Sequence, residues 1–290
     1  MIPFELSEPH TFAEAVSLLD PEDPTIRPIA GGTALMLMMK SNVFSPSRLV
    51  SLRGVEARFS EVELTPEGGI RAGALARLGT LERHAGIVGA FPVLMDTLRT
   101  LSNVRVRNVA TVGGNLAHAD PHMDLPPVLL ALDASVTAIS PSGQRMIPIG
   151  ELFAGYYQTS LAPDELIGEL SVPAQNGRVS AYIKCTTRSA HDWPALGVAV
   201  SLDIAEGTIV DARVVVSAAV EKPTRMHDAE IALNGAPVSD AAFRAAGEAA
   251  AVAADVISDV RGSAPYKRQL IRVNVARALA KATNAGGMGS

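Results

Sequence analysis

Two glycine pairs constrain this chain more than any other feature of its sequence. The first lies in Pro28-Ile29-Ala30-Gly31-Gly32-Thr33-Ala34-Leu35. There a short apolar strand, residues 26–30, runs into a turn and then into a Leu- and Met-rich helix, residues 33–40. Glycine lets a backbone approach a ligand closely, because no Cβ stands in the way. The first amides of the following helix have no partner inside it and sit at the positive end of its dipole. Pyrophosphate is a natural occupant of such a place. A simple reversal of the chain accounts for the same residues. The second pair lies in Ala110-Thr111-Val112-Gly113-Gly114-Asn115-Leu116-Ala117-His118, inside a loop expected over residues 102–121. Loops of that length within a compact domain tend to carry function. The plainer reading is a β-turn with an Asn cap. Together, two such loops could clamp an extended dinucleotide from two sides. Neither matches G-x-G-x-x-G, and G-x-x-x-x-G-K-[ST] is absent, so a nucleotide would need a different fold to bind it.

The rest of the chain reads as a mixed pattern. Thr11 precedes Phe12, Ala15, Val16 and Leu19, the spacing of a capped amphipathic helix. A strand follows at 49–52, then a hairpin of 59–64 with 70–74, and helices at 80–85 and 92–101. Asp124-Leu125-Pro126-Pro127 opens another helix. A second hairpin joins 135–139 to 145–147, and 165–172 adds a strand. Residues 173–177 read as a linker. Beyond it come three strands, at 179–187, 195–204 and 208–216, then helices at 239–258 and 266–282. Runs of strands followed by helices indicate a separate α+β unit. Residues 284–290 read as a disordered tail.

Composition excludes several classes. With 290 residues, 48% of them apolar, the chain can bury one large core or two moderate ones. A net charge of -5 without a basic, aromatic-interleaved stripe argues against nucleic acid. No apolar run nears the roughly 20 residues of a membrane span. The first ten residues lack a signal-peptide pattern, so a cytoplasmic location is expected. The one cysteine, Cys185, allows no internal disulfide and no chain-borne Fe–S cluster.

Two further segments carry polar chemistry. His118, Asp120, His122 and Asp124 alternate along one stretch. The two histidines have helical i, i+4 spacing, but Pro121 between them opposes a continuous helix. A metal site, a hydrogen-bonded loop and contacts to a flavin all remain open there. Asp124 also reads as the N-cap of the helix that follows. Lys184-Cys185-Thr186-Thr187-Arg188-Ser189-Ala190-His191-Asp192-Trp193-Pro194 holds the only tryptophan. Its indole could stack on a planar ring, or it could be an ordinary core residue. H-E-x-x-H, C-x-x-C and G-x-S-x-G are all missing, and no pair stands out as nucleophile and base.

In their order and separations these segments resemble the FAD-binding subunits of the molybdenum hydroxylases. That family includes the medium subunits of aerobic carbon monoxide dehydrogenase and the flavin domains of xanthine dehydrogenase. Ala30-Gly31-Gly32-Thr33-Ala34-Leu35 is similar to the family's first flavin loop, and Thr111-Val112-Gly113-Gly114-Asn115-Leu116 to its second. His118-Ala119-Asp120-Pro121 and Asp124-Leu125-Pro126 extend the likeness, which runs over nearly the whole chain.

The resemblance implies an α+β fold. A two-lobed FAD-binding domain of the vanillyl-alcohol-oxidase/p-cresol-methylhydroxylase type would span residues 1–174, with lobes of about 1–54 and 55–174. A C-terminal domain with a three-stranded antiparallel sheet and a helical bundle would span 175–284, and 285–290 would be tail. It implies non-covalent FAD, since neither His118 nor His122 matches a covalent attachment pattern well. Pro28, Ile29, Ala30, Gly31, Gly32, Thr33, Ala34 and Leu35 would hold the pyrophosphate region together with Thr111, Val112, Gly113, Gly114 and Asn115. Leu101, His118, Asp120 and Asp124 would touch the cofactor, Ile167 its adenine end, and Lys184 the flavin side. Trp193, where relatives often have Tyr, would stand near the isoalloxazine.

The implied role is electron transfer. The molybdenum cofactor would sit in a large partner chain and 2Fe–2S clusters in a small one, in a heterotrimer. FAD here would pass their electrons to an external acceptor: NAD, quinone or oxygen. A stand-alone flavin oxidase or dehydrogenase, and a non-catalytic module of the same fold, are the alternatives.

Overall fold

The computed structural model describes residues 2–286. The chain opens with β1 (Glu5–Ser7), α1 (Phe12–Ser17), β2 (Ile26–Ile29), α2 (Leu35–Lys40) and β3 (Arg48–Ser51). The strands form a small parallel sheet in the order β1-β3-β2. Thr11 caps α1 as expected: its Oγ1 accepts from the Glu14 amide at 3.0 Å. Phe12, Ala15, Val16 and Leu19 then bury one face of the helix with Val50, Leu52 and Phe59. β1 spans three residues and carries no legible alternation, so the sequence pattern passes over it.

The second lobe contains β4 (Val62–Leu64), β5 (Ile70–Gly73), α3 (Leu78–Arg83), α4 (Ala85–Ala90), α5 (Pro92–Thr100), α6 (Val104–Arg107), α7 (Val112–His118) and α8 (Leu125–Ala131). It continues with β6 (Ser135–Ser140), β7 (Gly143–Pro148), α9 (Ile149–Leu152), β8 (Phe153–Gly155), β9 (Gln158–Thr159) and β10 (Leu166–Val172). Five strands make an antiparallel sheet in the order β4-β5-β10-β6-β7. Both expected hairpins form.

The expected loop over 102–121 does not. It contains α6 and α7, each started by a side-chain cap. Asn103 Oδ1 accepts from the Arg105 and Val106 amides at 3.0 and 3.1 Å, and Thr111 Oγ1 from the Gly114 amide at 3.2 Å. Two glycines each weaken a helix by about 1 kcal/mol. Here Val112 and Leu116, fully buried in the main core, offset that loss.

The last part holds β11 (Val179–Cys185), β12 (Leu196–Ala205), β13 (Thr208–Ser217), β14 (Thr224–Arg225), α10 (His227–Leu233), α11 (Asp240–Ala253) and α12 (Ala264–Gly286). The three expected strands are present, but the antiparallel sheet has a fourth, the two-residue β14 beside β13. Strand alternation places Tyr182, Ala199 and Val215 in the core of the second lobe. Their neighbours Ala181, Val198, Val200, Val214 and Val216 lie in a separate core with α11 and α12. A sheet covered on both faces explains why these strands read as unbroken apolar runs. Residues 284–286, expected in a disordered tail, belong to α12, and the rest of that tail lies outside the described residues. No helix among the described residues is long and apolar enough to cross a membrane.

Candidate functional site

The two glycine pairs meet. Gly31 presses so closely on residues 109–110 that a Cβ there would overlap the Val109 carbonyl oxygen. A Cβ on Gly114 would stand 4.0 Å from that of Ala30. The end of β2 and the start of α7 therefore lie side by side.

The two sides are built differently. Gly32 has a φ of +69°, a conformation glycine adopts without strain, and it turns the chain from β2 into α2. The Gly32 carbonyl accepts from Met36, so the first helical turn is closed. The amides of Gly32, Thr33, Ala34 and Leu35 donate to no acceptor among the described residues. Residues 28–36 are all half-buried.

On the α7 side the amides are spent. Val112 donates to the Ala76 carbonyl at 2.9 Å, Gly113 to Ala74 at 2.7 Å and Asn115 to Thr111 at 2.9 Å. Gly114 donates to its cap, Thr111 Oγ1. The expectation that this pair offers amides to a phosphate is therefore corrected. Its glycines matter for closeness. A Cβ on Gly113 would fall 2.6 Å from that of Ala74, so only glycine lets α7 sit on the end of β5. Gly114 is exposed, and a Cβ there would crowd Thr111 Oγ1 at 2.8 Å. Asn115 adds a buried Oδ1 with no donor among the described residues.

Beyond α7, Ala119 turns through the left-handed region (φ +51°) and the polar residues point apart. Asp124 precedes α8 but makes no side-chain cap bond. Its Oδ1 accepts from the Tyr182 hydroxyl at 2.7 Å and its Oδ2 from Lys184 Nζ at 2.9 Å, while Nζ also donates to the Thr100 carbonyl at 3.0 Å. The expected cap role is thus displaced by a buried ion pair with β11. Burial pushes the Asp124 carboxyl above its ordinary range, and the attraction of Lys184 opposes this only in part.

Asp120 and His122 join a second network. Asp120 Oδ1 accepts from the His122 amide at 2.9 Å and lies 3.0 Å from His122 Nδ1. Asp120 Oδ2 accepts from the Tyr157 hydroxyl at 2.9 Å. Burial would raise the Asp120 carboxyl, but these bonds hold it below its usual value. His122 Nε2 faces Asp259 Oδ2 at 3.2 Å, and the His122 ring stacks on Trp193 with centroids 6.0 Å apart. His118 packs against the edge of Tyr157, and burial lowers its pKa despite nearby Asp120. No group of three or more His, Cys, Asp or Glu among the described residues is arranged to hold a metal ion.

Of the other expected residues, Leu101 and Ile167 are buried in the main core. Trp193 is 54% exposed and lines a cavity of about 500 Å³ with Thr187, Arg188, His191, Asp192, Val260 and Arg261. Sequence reasoning passed over Tyr157, Asp259, Arg261 and Lys267. One signal was present: Lys267 shares i, i+4, i+8 spacing with Ile271 and Val275, which put it on the buried stripe of its helix.

Comparison with known proteins fits this geometry. Residues 2–175 match the FAD binding domain in molybdopterin dehydrogenase, and residues 181–282 match the CO dehydrogenase flavoprotein C-terminal domain. The chain is 35% identical to the nicotine 6-hydroxylase medium subunit of Paenarthrobacter nicotinovorans, covering 95% of this chain and 96% of that one. It is 30% identical to the carbon monoxide dehydrogenase medium chain of Hydrogenophaga pseudoflava, covering 96% and 97%. A solved carbon monoxide dehydrogenase from Hydrogenophaga pseudoflava superposes with a TM-score of 0.92 at 31% identity, covering 98% of this chain and 99% of that one. Quinoline 2-oxidoreductase from Pseudomonas putida 86 gives 0.91 at 25% identity, with 98% of both chains covered. Fold and family regions together define a mixed α/β flavoprotein-type chain. The chain belongs to the molybdenum hydroxylase family, as one of its FAD-binding medium subunits, and is an oxidoreductase subunit.

Proposed function

We propose that this chain holds FAD without a covalent bond in the cleft between β2–α2 and α7. It takes electrons from 2Fe–2S clusters of a small partner chain, fed by a molybdenum cofactor in a large one, and passes them to an external acceptor. The observation that carries the reading is the set of four unpartnered amides at residues 32–35 close beside a helix that carries no side chain at the exposed Gly114. Four free N–H groups at a helix start favour an anion, and a bare opposite wall admits one with bulk on either side. Bound FAD supplies one- and two-electron chemistry, and the protein binds and orients it.

The chain's own residues take distinct parts. Gly32 through Leu35 would grip the pyrophosphate. Gly113 sets α7 close to the sheet, and Gly114 keeps the cleft open. Asp124 and Lys184 cancel each other's charge where β11 meets α8, fixing the joint between the two halves. Trp193 would stand at the flavin end. The single Cys185 cannot supply the several thiolates that hold a cluster.

The test separates binding from folding. Gly114→Val fills the cleft but also crowds Thr111 Oγ1, 2.8 Å from the new Cβ, and so weakens the cap. Thr111→Ala loses the same cap, at about 1 kcal/mol, without adding bulk. The purified wild-type chain should show a flavin spectrum that acid precipitation releases to the supernatant. Thr111→Ala should keep its flavin, and Gly114→Val should lose it. Stoichiometric flavin in Gly114→Val would place the cofactor elsewhere. Co-purification of the natively expressed chain with molybdenum- and iron-bearing chains tests the assembly.

A further inference from the structure

Trp193 stands in the open but is held. An exposed side chain on a loop ordinarily samples several rotamers within nanoseconds. Here two planar groups restrain the indole. The His122 ring lies at 12° to it. The Arg261 guanidinium carbon sits 5.2 Å from the indole centroid, and Arg261 Nη1 comes within 3.5 Å of His122 Nε2.

The two restraints are anchored to one network, His122 through its ring and Arg261 through its backbone amide. His122 is fixed between Asp120 and Asp259. Asp259 pairs with Lys267 Nζ at 2.8 Å, and its Oδ1 accepts from the Arg261 amide at 2.8 Å, which sets the start of the Arg261 side chain. Lys267 is fully buried and also donates to the Ala218 carbonyl at 3.2 Å. The chain of contacts runs from the segment after α7 to the core of the C-terminal half, and Trp193 leans on its middle. Burying Lys267 and the Asp120 carboxylate carries a desolvation penalty that apolar residues would avoid. A surface indole with no role needs no such support.

We propose that Arg261 and His122 are positioning residues, which hold Trp193 as a fixed wall of the 500 Å³ cavity so that it meets the flavin in one orientation. This rests on the FAD reading above, and the experiment keeps the two apart. The chain has one tryptophan, so indole emission reports Trp193 alone. In the flavin-free full chain, Arg261→Ala should raise the acrylamide quenching of that emission by up to about twofold, the ceiling for an indole already 54% exposed. Arg261→Lys keeps a cation over the ring and should recover part of the difference. In the FAD-loaded chain, Arg261→Ala should keep its FAD while flavin emission rises and the flavin midpoint potential shifts. Trp193→Ala should do the same, and the double variant should add nothing. Unchanged quenching in Arg261→Ala would overturn the clamp. Unchanged flavin emission and potential in both single variants would overturn its role toward the cofactor. A wild-type chain that takes up no FAD would sink the reading beneath, and the proposal with it.

Discussion

Asp124 and Lys184 show how one residue pair can join two halves of a chain. Both side chains are less than one-tenth exposed, and they bind α8 to β11 across 60 positions of sequence. Breaking such a pair from one side leaves a charge buried without compensation. Lys184→Met should therefore cost about 3–5 kcal/mol. Adding Asp124→Asn should recover much of the loss, because no net charge is then buried and the Asn oxygen can still accept from Tyr182. The pH dependence has a definite sign. Burial already raises the folded pKa of Asp124, and removing Lys184 removes the main opposing attraction. A carboxyl whose folded pKa exceeds its unfolded value favours the folded state as pH falls. The deficit of Lys184→Met should thus shrink on acidification, read as a melting-temperature difference from wild type. A deficit that grows toward low pH would refute the account. This pairing was not legible in the sequence. Asp124 before Leu-Pro-Pro satisfies every local rule for a helix cap, and only the arrival of β11 gives it stronger partners.

Elements were legible where local pattern and tertiary packing agree. α1, both hairpins of the second lobe and the three long C-terminal strands fall where periodicity puts them. α7 was missed because its glycines argue against a helix, while what decides the matter is tertiary: burial of Val112 and Leu116, and hydrogen bonds to the Ala74 and Ala76 carbonyls far back in the chain. α10 and β14 were missed for a similar reason: the Glu230 carboxylate accepts from the Val214 amide and from Arg225, contacts that bind the segment only once the sheet exists. The turn between α11 and α12 makes a further prediction. Burial raises the Asp259 carboxyl, but Lys267, the Arg261 amide and His122 together bring it down to about 2 from an ordinary 3.8. A depressed carboxyl stabilises the fold above its unfolded pKa, and that contribution is lost as pH falls through the folded one. The turn should hold above pH 3.8 and loosen toward about 2. Quenching of Trp193 should rise over that window in wild type and stay flat, at the raised level, in Asp259→Asn. An unchanged wild-type signal across it would break the link between this turn and the indole.

At the scale of the whole molecule, the two family regions meet across one sheet of the C-terminal part. Residues 2–175 and 181–282 match separate families, and the change of pattern near residue 175 suggested two domains. The packing joins them, because β11, β12 and β13 send alternate side chains into different cores. Val215 lies in the core of the FAD-binding region and Val214 in that of α11 and α12. A sheet cannot lose one face and keep the other, since the same backbone ladder carries both. The two halves should therefore unfold in one transition, with flavin release and Trp193 emission following the same curve. Val215→Ala and Val214→Ala each empty a fully buried site, at about 2 kcal/mol by analogy with other large-to-small core changes. For a chain of this size that corresponds to roughly 3–4 °C. Each variant should shift both signals by the same amount, although the two side chains point into different cores. If Val214→Ala moved the Trp193 curve and left flavin release in place, the halves would be separate bodies. The cleft would then owe nothing to the domain behind it. Coincident curves would instead mean that the C-terminal half sets the stability of the flavin cleft through β11–β13, without touching its glycine loops.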